Sequence, residues 1–508
     1  MYMSSKIFSA AVIGLDAEIV EVEAETGGGD LGAFTIVGLP DLAVTESRER
    51  VRSAVRNSGV DFPRIKVTVN LAPADLKKQG PSYDLPIAIS VLAATNKIEL
   101  PASLGKSIFV GELALSGDVR PVNGILPAAL GARKHGFTHI FVPSMNAAEA
   151  KLVTELVVLP VDSLSDVIGH LNGRQPITPA EARSFAFDDV PSLHDMSHVR
   201  GQENAKRALE IAAAGGHNML MSGPPGSGKT LLARTVPSIL PQLTLEEALE
   251  ITKIYSVSGR LGAERSLVRS RPFRAPHHTA SGVALVGGGA WPRPGEISLA
   301  HRGVLFLDEF GEFPRPVLEN LRQPLEDGLI AVSRAAGNLI FPAKFILVAA
   351  MNPCPCGYLG DSEKQCGCSP AQIIGYRKKI SGPILDRIDL HVDVPRLAFE
   401  KLTTETAAES SAAIKARVEA ARERQRERFR NLPFVTNSDM SSAAVRQFCP
   451  LDSESKTLMQ TAVNHLNLSA RAYFRILKLA RTIADLAGAE RVVSPHIAEA
   501  LQYRPKLE

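Results

Sequence analysis

The stretch Gly223, Pro224, Pro225, Gly226, Ser227, Gly228, Lys229, Thr230 constrains the fold more than any other, because it fits G-x-x-x-x-G-K-[ST] and carries the flanks such a hit requires. An apolar run from Asn218 to Ser222 precedes it, and a helical run opening Leu231-Leu-Ala-Arg-Thr follows. A strand, a glycine-rich turn and a helix N-terminus in that order aim successive backbone N–H groups at phosphate oxygens. Lys229 is then expected on the β/γ oxygens of ATP and the Thr230 hydroxyl on Mg2+. Two later runs supply the remaining chemistry. Gly303-Val-Leu-Phe-Leu-Asp308-Glu309 reads as a buried parallel strand delivering two carboxylates to its C-terminal edge. Asp308 is expected to hold the Mg2+ shell and Glu309 to polarise the attacking water. Lys344 to Asn352 is a second such strand, ending in an amide suited to orienting that water.

With these residues in view, a resemblance becomes specific. The run from Arg271 to Gly282, with Pro-His-His at its centre, and the run from Pro294 to Glu309 resemble the magnesium-chelatase-like branch of the AAA+ ATPases. Within that branch the chain resembles the ComM/YifB family from about Ile7 to its C-terminus. That resemblance implies a ring-shaped, ATP-driven DNA helicase, a homo-oligomer expected to be a hexamer, that promotes branch migration during natural transformation.

Composition sets the limits on such a reading. At 508 residues the chain is long enough for about three domains. A formal charge of +3 with 22% charged residues leaves no polybasic tail, so contact with single-stranded or branched DNA must come from local basic surfaces. No apolar stretch approaches a membrane span. Lys6 and the apolar run after it lack a signal-peptide cleavage site and lead into Ala17 to Glu25, where apolar and acidic residues alternate. A folded start and a cytoplasmic protein are therefore expected.

The expected fold is α/β in three parts. Residues 1–171 alternate strands with helices and resemble the Lon-protease-like domain (ribosomal S5 domain 2-like, α+β). Residues 172–195, rich in Pro and acids, read as a linker. Residues 196–395 form an AAA+ P-loop core, and 396–508 a helical lid of the magnesium chelatase C-terminal type. In the first part Ser82 stands where the resemblance puts the Lon nucleophile, but its lysine partner falls at Leu126. A lone serine lacks a positioned base, so no peptidase activity is expected. On the predicted helix 45–58, Arg48, Arg52 and Arg56 form one stripe, read as a solvated face or as phosphate contacts.

Further expectations for the core follow from the resemblance. Val199 and Gln202 sit in the entry loop that lines the adenine pocket. The Gly- and Pro-rich loop 283–295, bearing Trp291 and Arg293, matches an insertion facing the ring pore, where it could stack on bases or touch another subunit. The segment 328–345 reads as two strands around a turn at Ala335 to Asn338, and the resemblance directs this hairpin at the pore, with Arg334 and Lys344 gripping DNA. The Leu-Asp-Arg387 segment resembles the arginine-finger motif, which acts on a neighbouring subunit's nucleotide. Arg471, on a helix beginning at Ser469, occupies the position of the lid's nucleotide-sensing arginine. Adjacent His277 and His278 are expected to diverge and serve the structure.

Cysteine placement is a further signal. Cys354 and Cys356, then Cys366 and Cys368, form two Cys-x-Cys pairs nine residues apart. Four thiolates so placed can close a tetrahedral structural Zn2+ site, with disulfides or free thiols as alternatives. Cys449 is remote and expected in the core. Between Arg422 and Arg430 five arginines alternate with other residues, three of them in i,i+3 pairs with glutamates, read as a solvated helix face with direct DNA contact as the alternative.

Overall fold

The computed structural model describes residues 3–27, 32–182, 194–262, 266–289, 292–334, 337–397 and 408–504. It is a mixed α/β structure with a parallel-sheet core and a helical C-terminal part. Two compact units are present: residues 1–186 with 245–269, and residues 187–244 with 270–508.

In the first unit the acid-alternating run forms the strand Asp16–Gly27, paired antiparallel with Met3–Ile13 in a register running from Met3 opposite Thr26 to Ile13 opposite Asp16. Val20, Val22 and Ala24 face inward and are fully buried, while Glu21, Glu23 and Glu25 take the other, wetter face, as period-two alternation requires. Among the described residues the sheet has seven strands, and its order places Val157–Val161 at one edge, a strand the sequence reading did not mark. The helix predicted at 45–58 appears as Leu42–Asn57, and two further helices run Asp84–Ala94 and Ile125–Lys134. Arg52 reaches back to Gly32 O at 2.9 Å and lies over Phe62, so part of the arginine stripe serves local packing.

Residues 245–269 lie between the glycine-rich loop and the acidic strand in the chain, yet group with this first unit. Their helix Leu245–Val257 is tied to it by the Ser256 hydroxyl, which donates to buried Glu149.

The second unit is built on five strands, every adjacent pair parallel, in the order Phe273–Arg274, Val304–Leu307, Ile346–Met351, Met219–Ser222, Leu390–Asp393. The central strands are continuous apolar runs because both faces are covered. Met219, Phe306, Val348 and Leu390 share one buried core with Ile414 and Val418 of the helix Ser411–Arg428 and with Ile476 and Ile483 of Ala470–Leu486. Buried His217 stitches sheet to helix, bonding Asp389 at 3.1 Å and Thr482 at 2.9 Å.

The arginines of Ser411–Arg428 depart from the expected solvated pattern. Arg426 keeps its pair with Glu423 at 2.6 Å. Arg422 instead donates to Ala213 O, Arg424 to Asp485 O and Arg428 to the Asp485 carboxylate. These guanidiniums satisfy buried carbonyls and a fully buried acid, an outlet that spacing along one helix cannot reveal. The hairpin is present, with Leu329–Arg334 antiparallel to Gly337–Pro342; its turn at 335–336 lies outside the described residues. No helix among the described residues is long and apolar enough to cross a membrane.

Candidate nucleotide site

The loop from Gly223 to Gly228 joins the strand Met219–Ser222 to the helix Lys229–Ile239 at the C-terminal edge of the parallel sheet. Gly226 and Gly228 have φ of 78° and 92°, the left-handed region that favours glycine. A Cβ at Gly223 would stand 2.1 Å from Val394 O, so the chain can pass there only without a side chain. Lys229 is buried, with Nζ donating to Gly223 O at 2.7 Å and Pro224 O at 2.8 Å. Burial lowers its pKa while nearby Asp308 acts to raise it. An ammonium held by the carbonyls of its own loop is poised to turn to a richer acceptor.

Across from it, the Thr230 hydroxyl donates to Asp308 Oδ2 at 2.8 Å, and Asp308 Oδ1 accepts from Glu309 N at 2.9 Å. A hydroxyl and a carboxylate side by side fit the outer shell of a hydrated Mg2+. Glu309 takes φ of 51°, uncommon for a residue with a side chain, and projects its carboxylate beyond the strand end. Asn352 follows the neighbouring strand, whose Met351 O accepts from Gly223 N at 3.2 Å. The two strand ends and the loop thus meet, bringing Lys229, Thr230, Asp308 and Asn352 to one sheet edge.

The entry loop is joined to the same place. Val199 is buried, and Gln202, with φ of 59°, donates to Ser227 O at 3.3 Å and Pro395 O at 2.7 Å.

His278 is a neighbour of Glu309 that sequence reasoning did not single out. The side chains of His277 and His278 do not diverge as expected: their rings lie 4.1 Å apart, and His278, read as a hydrogen-bonded structural residue, places Nδ1 2.9 Å from Glu309 Oε2. Its position after the edge strand Phe273–Arg274, beside the acidic strand, was the available signal.

Arg387 and Arg471 do not join this edge. The Arg387 carbonyl accepts from Asn218 Nδ2 at 3.1 Å, at the start of the strand whose other end carries the loop. Its guanidinium pairs with Glu326, and Arg471 reaches the same carboxylate at 3.5 Å. About 13 Å of strand lies between that edge and the glycine-rich loop.

The four clustered cysteines come together: their sulfurs all lie within 4.8 Å of one another. Cys354 Sγ is 3.4 Å from Cys356 Sγ and 3.7 Å from Cys366 Sγ. All four are unbridged, and Cys449 is separately buried. Four thiolates around Zn2+ at about 2.3 Å would stand about 3.8 Å apart, so the donor set fits that ion.

The residues expected to meet DNA are less uniform. Trp291 lies outside the described residues, as does the side chain of Arg334. Arg293 pairs its backbone with Gly288 and is exposed. Lys344 is half-buried, its stem lying where a Cβ of Gly328 would come within 2.7 Å. In the first unit Ser82 sits in the turn Pro81–Tyr83, its carbonyl accepting from Gly111 N at 3.0 Å. Leu126 is fully buried, and its N–H binds Glu149 at 2.8 Å.

Comparison with known proteins places the chain in a family. Residues 195–402 match the family "Magnesium chelatase, subunit ChlI", 20–146 match "Subunit ChlI of Mg-chelatase", and 408–504 its C-terminal family. Competence protein ComM of Haemophilus influenzae is 45% identical over 504 residues, covering 98% of this chain and 97% of that one. The chain belongs to the ComM/YifB family. YifB of Escherichia coli K12 is likewise 45% identical over 504 residues, with the same coverage of both chains. A more distant relative, the Lon protease of Brevibacillus choshinensis, is 26% identical over 176 residues, 32% of this chain and 22% of that protein. The family's magnesium-chelatase character fits ATP and Mg2+ as ligands of the glycine-rich loop.

Proposed function

We propose that this chain is a ring-forming, ATP-driven DNA motor of the AAA+ class, acting as a helicase or branch-migration factor in the uptake or recombination of DNA. The observation that carries the reading is the separation of Arg387 from its own glycine-rich loop. The two stand at opposite ends of adjacent parallel strands, so the guanidinium is of use only to a nucleotide on another copy. A head-to-tail contact of that kind, repeated by rotation, closes a ring, and a hexamer is the size we assign it.

Hydrolysis proceeds by in-line attack of water. Lys229 turns from the loop carbonyls to the β/γ oxygens, and Thr230 and Asp308 would hold the Mg2+, which would supply neutralisation of phosphate charge. Glu309, positioned by His278, polarises the water, and Asn352 orients it. Arg387 and Arg471 release Glu326 and stabilise the γ-phosphate of the adjacent subunit. Glu326 keeps the two arginines paired until that phosphate competes for them. Motion at the nucleotide passes to the hairpin 329–342 and the 283–295 loop, where Arg334, Lys344, Arg293 and Trp291 meet the DNA. Cys354, Cys356, Cys366 and Cys368 would hold a structural Zn2+, which would keep the loop 354–368 in shape.

The relative named ComM supports a role in competence. Peptidase action is disfavoured because buried Leu126 stands where the lysine would be needed. The deciding experiment measures ATP turnover with and without forked DNA, wild type against Lys229→Ala, together with strand displacement. Stimulation by DNA and displacement by wild type alone is expected. Turnover indifferent to DNA with no strand ever displaced would leave a chelatase-type motor acting on a protein partner.

A further inference from the structure

The cysteine cluster is more than a fold staple, because its loop is fastened to the nucleotide site at both ends. Cys354, buried, comes two residues after Asn352. The turn closed by Gly357 N donating to Cys354 O at 3.0 Å places Gly357, at φ of 84°, against the glycine-rich loop. A Cβ on Gly357 would stand 2.8 Å from Pro225 Cδ and 3.8 Å from Asn352 Cγ. Backbone therefore packs directly on the phosphate-binding loop and on the amide beside it.

The far side of the loop is tied down independently. Asp361 accepts from Glu363 N at 2.8 Å and Lys364 N at 3.0 Å, which folds the segment between the two cysteine pairs. Arg396 then grips it, reaching Asp361 at 3.4 Å and Glu363 at 2.8 Å. The residue before it, Pro395, gives its carbonyl to Gln202, which also binds Ser227 of the glycine-rich loop. Thus the cysteine loop touches Pro225 on one side and, through Arg396, Pro395 and Gln202, Ser227 on the other.

We propose that the metal bound by Cys354, Cys356, Cys366 and Cys368 is a clamp on the nucleotide site, so that metal occupancy sets nucleotide affinity. The inference rests on the reading of residues 223–230 as a nucleotide site. Four thiolates converging on one ion fix the two ends of the loop at a single separation. With the ion bound, Gly357 seats Pro225 and Asn352. Without it, the Cys354 and Cys366 thiolates would lose their common ligand, and both contacts should loosen together. Small displacements of a preorganised phosphate loop weaken binding steeply.

The test uses the full-length chain, reduced, with zinc content measured by atomic absorption and affinity by a fluorescent ADP analogue in excess Mg2+. One zinc per chain is expected. A zinc-selective chelator should weaken analogue binding by about tenfold or more, and added Zn2+ should restore it. Gly357→Ala separates the clamp from folding, because it leaves every thiolate in place: zinc content should stay at one per chain while affinity falls. Circular dichroism of the metal-free chain shows whether any loss of binding accompanies unfolding. The proposal is overturned if the chain takes up no zinc, if metal-free folded chain binds the analogue within about twofold of the loaded form, or if Gly357→Ala binds normally. The underlying nucleotide reading fails differently, by zinc-loaded wild type binding no analogue or by Lys229→Ala binding it unchanged.

Discussion

At the scale of single residues, what matters is which charges have an alternative partner. Lys229 rests on two carbonyls of its own loop, so Lys229→Ala removes the phosphate ligand without leaving a buried charge behind. Turnover should fall by about 100-fold or more in a phosphate-release assay, with the fold intact by circular dichroism. His278 holds Glu309 by a single contact of 2.9 Å. Loss of one such bond costs about 1 kcal/mol, so His278→Ala should lower kcat about fivefold with little change in KM, and His278→Asn should recover part of it. A raised KM and a lowered melting temperature accompanying the fall in kcat would mean the imidazole only supports the fold. His391 gives a pH prediction. Burial first, and the nearby Arg504 charge second, depress its pKa from 6.5 to about 4. The unfolded chain thus takes up a proton that the folded one refuses, and the stabilisation is complete above pH 6.5 and lost as pH falls towards 4. Urea midpoints should decline between about pH 7 and 5 in wild type and decline less in His391→Gln.

Elements show where sequence suffices and where it stops. The glycine-rich loop was legible because its chemistry is local: glycines, Lys229 and Thr230 lie within eight residues, and the strand and helix that present them are its immediate neighbours. The acidic strand and the cysteine pairs were legible for the same reason. What escaped was contact between segments far apart in the chain. Glu326 binding two arginines, His278 reaching Glu309, and Gly357 against Pro225 each join residues that no periodicity relates. The five arginines from Arg422 to Arg430 misled for a related reason, since alternation with glutamate along a helix says nothing of carbonyls on the element behind it. The hairpin Leu329–Arg334 with Gly337–Pro342 was read correctly as an element. Its assigned role predicts that Arg334→Ala lowers the salt dependence of DNA-stimulated turnover by about one unit of slope in log–log form, as loss of one phosphate contact should. An unchanged slope would remove that residue from the DNA path.

For the whole molecule, the parallel sheet and the helical C-terminal part were foreseeable from apolar runs and amphipathic helices, because burial on two faces or one leaves a mark in composition. The grouping of residues 245–269 with the first unit was not, since Ser256 and Glu149, which join them, lie 107 positions apart in the chain. The central claim is assembly: each chain carries a complete phosphate site and an arginine fit only for another chain's. That claim is tested most directly by mixing two inactive variants, Lys229→Ala, which keeps its arginine but cannot hold nucleotide, and Arg387→Ala, which holds nucleotide but offers no arginine. In mixed rings the first serves the intact site of the second, so an equal mixture should recover about a quarter of wild-type ATP turnover. No recovery from a mixture shown by size exclusion to form joint oligomers would contradict the account.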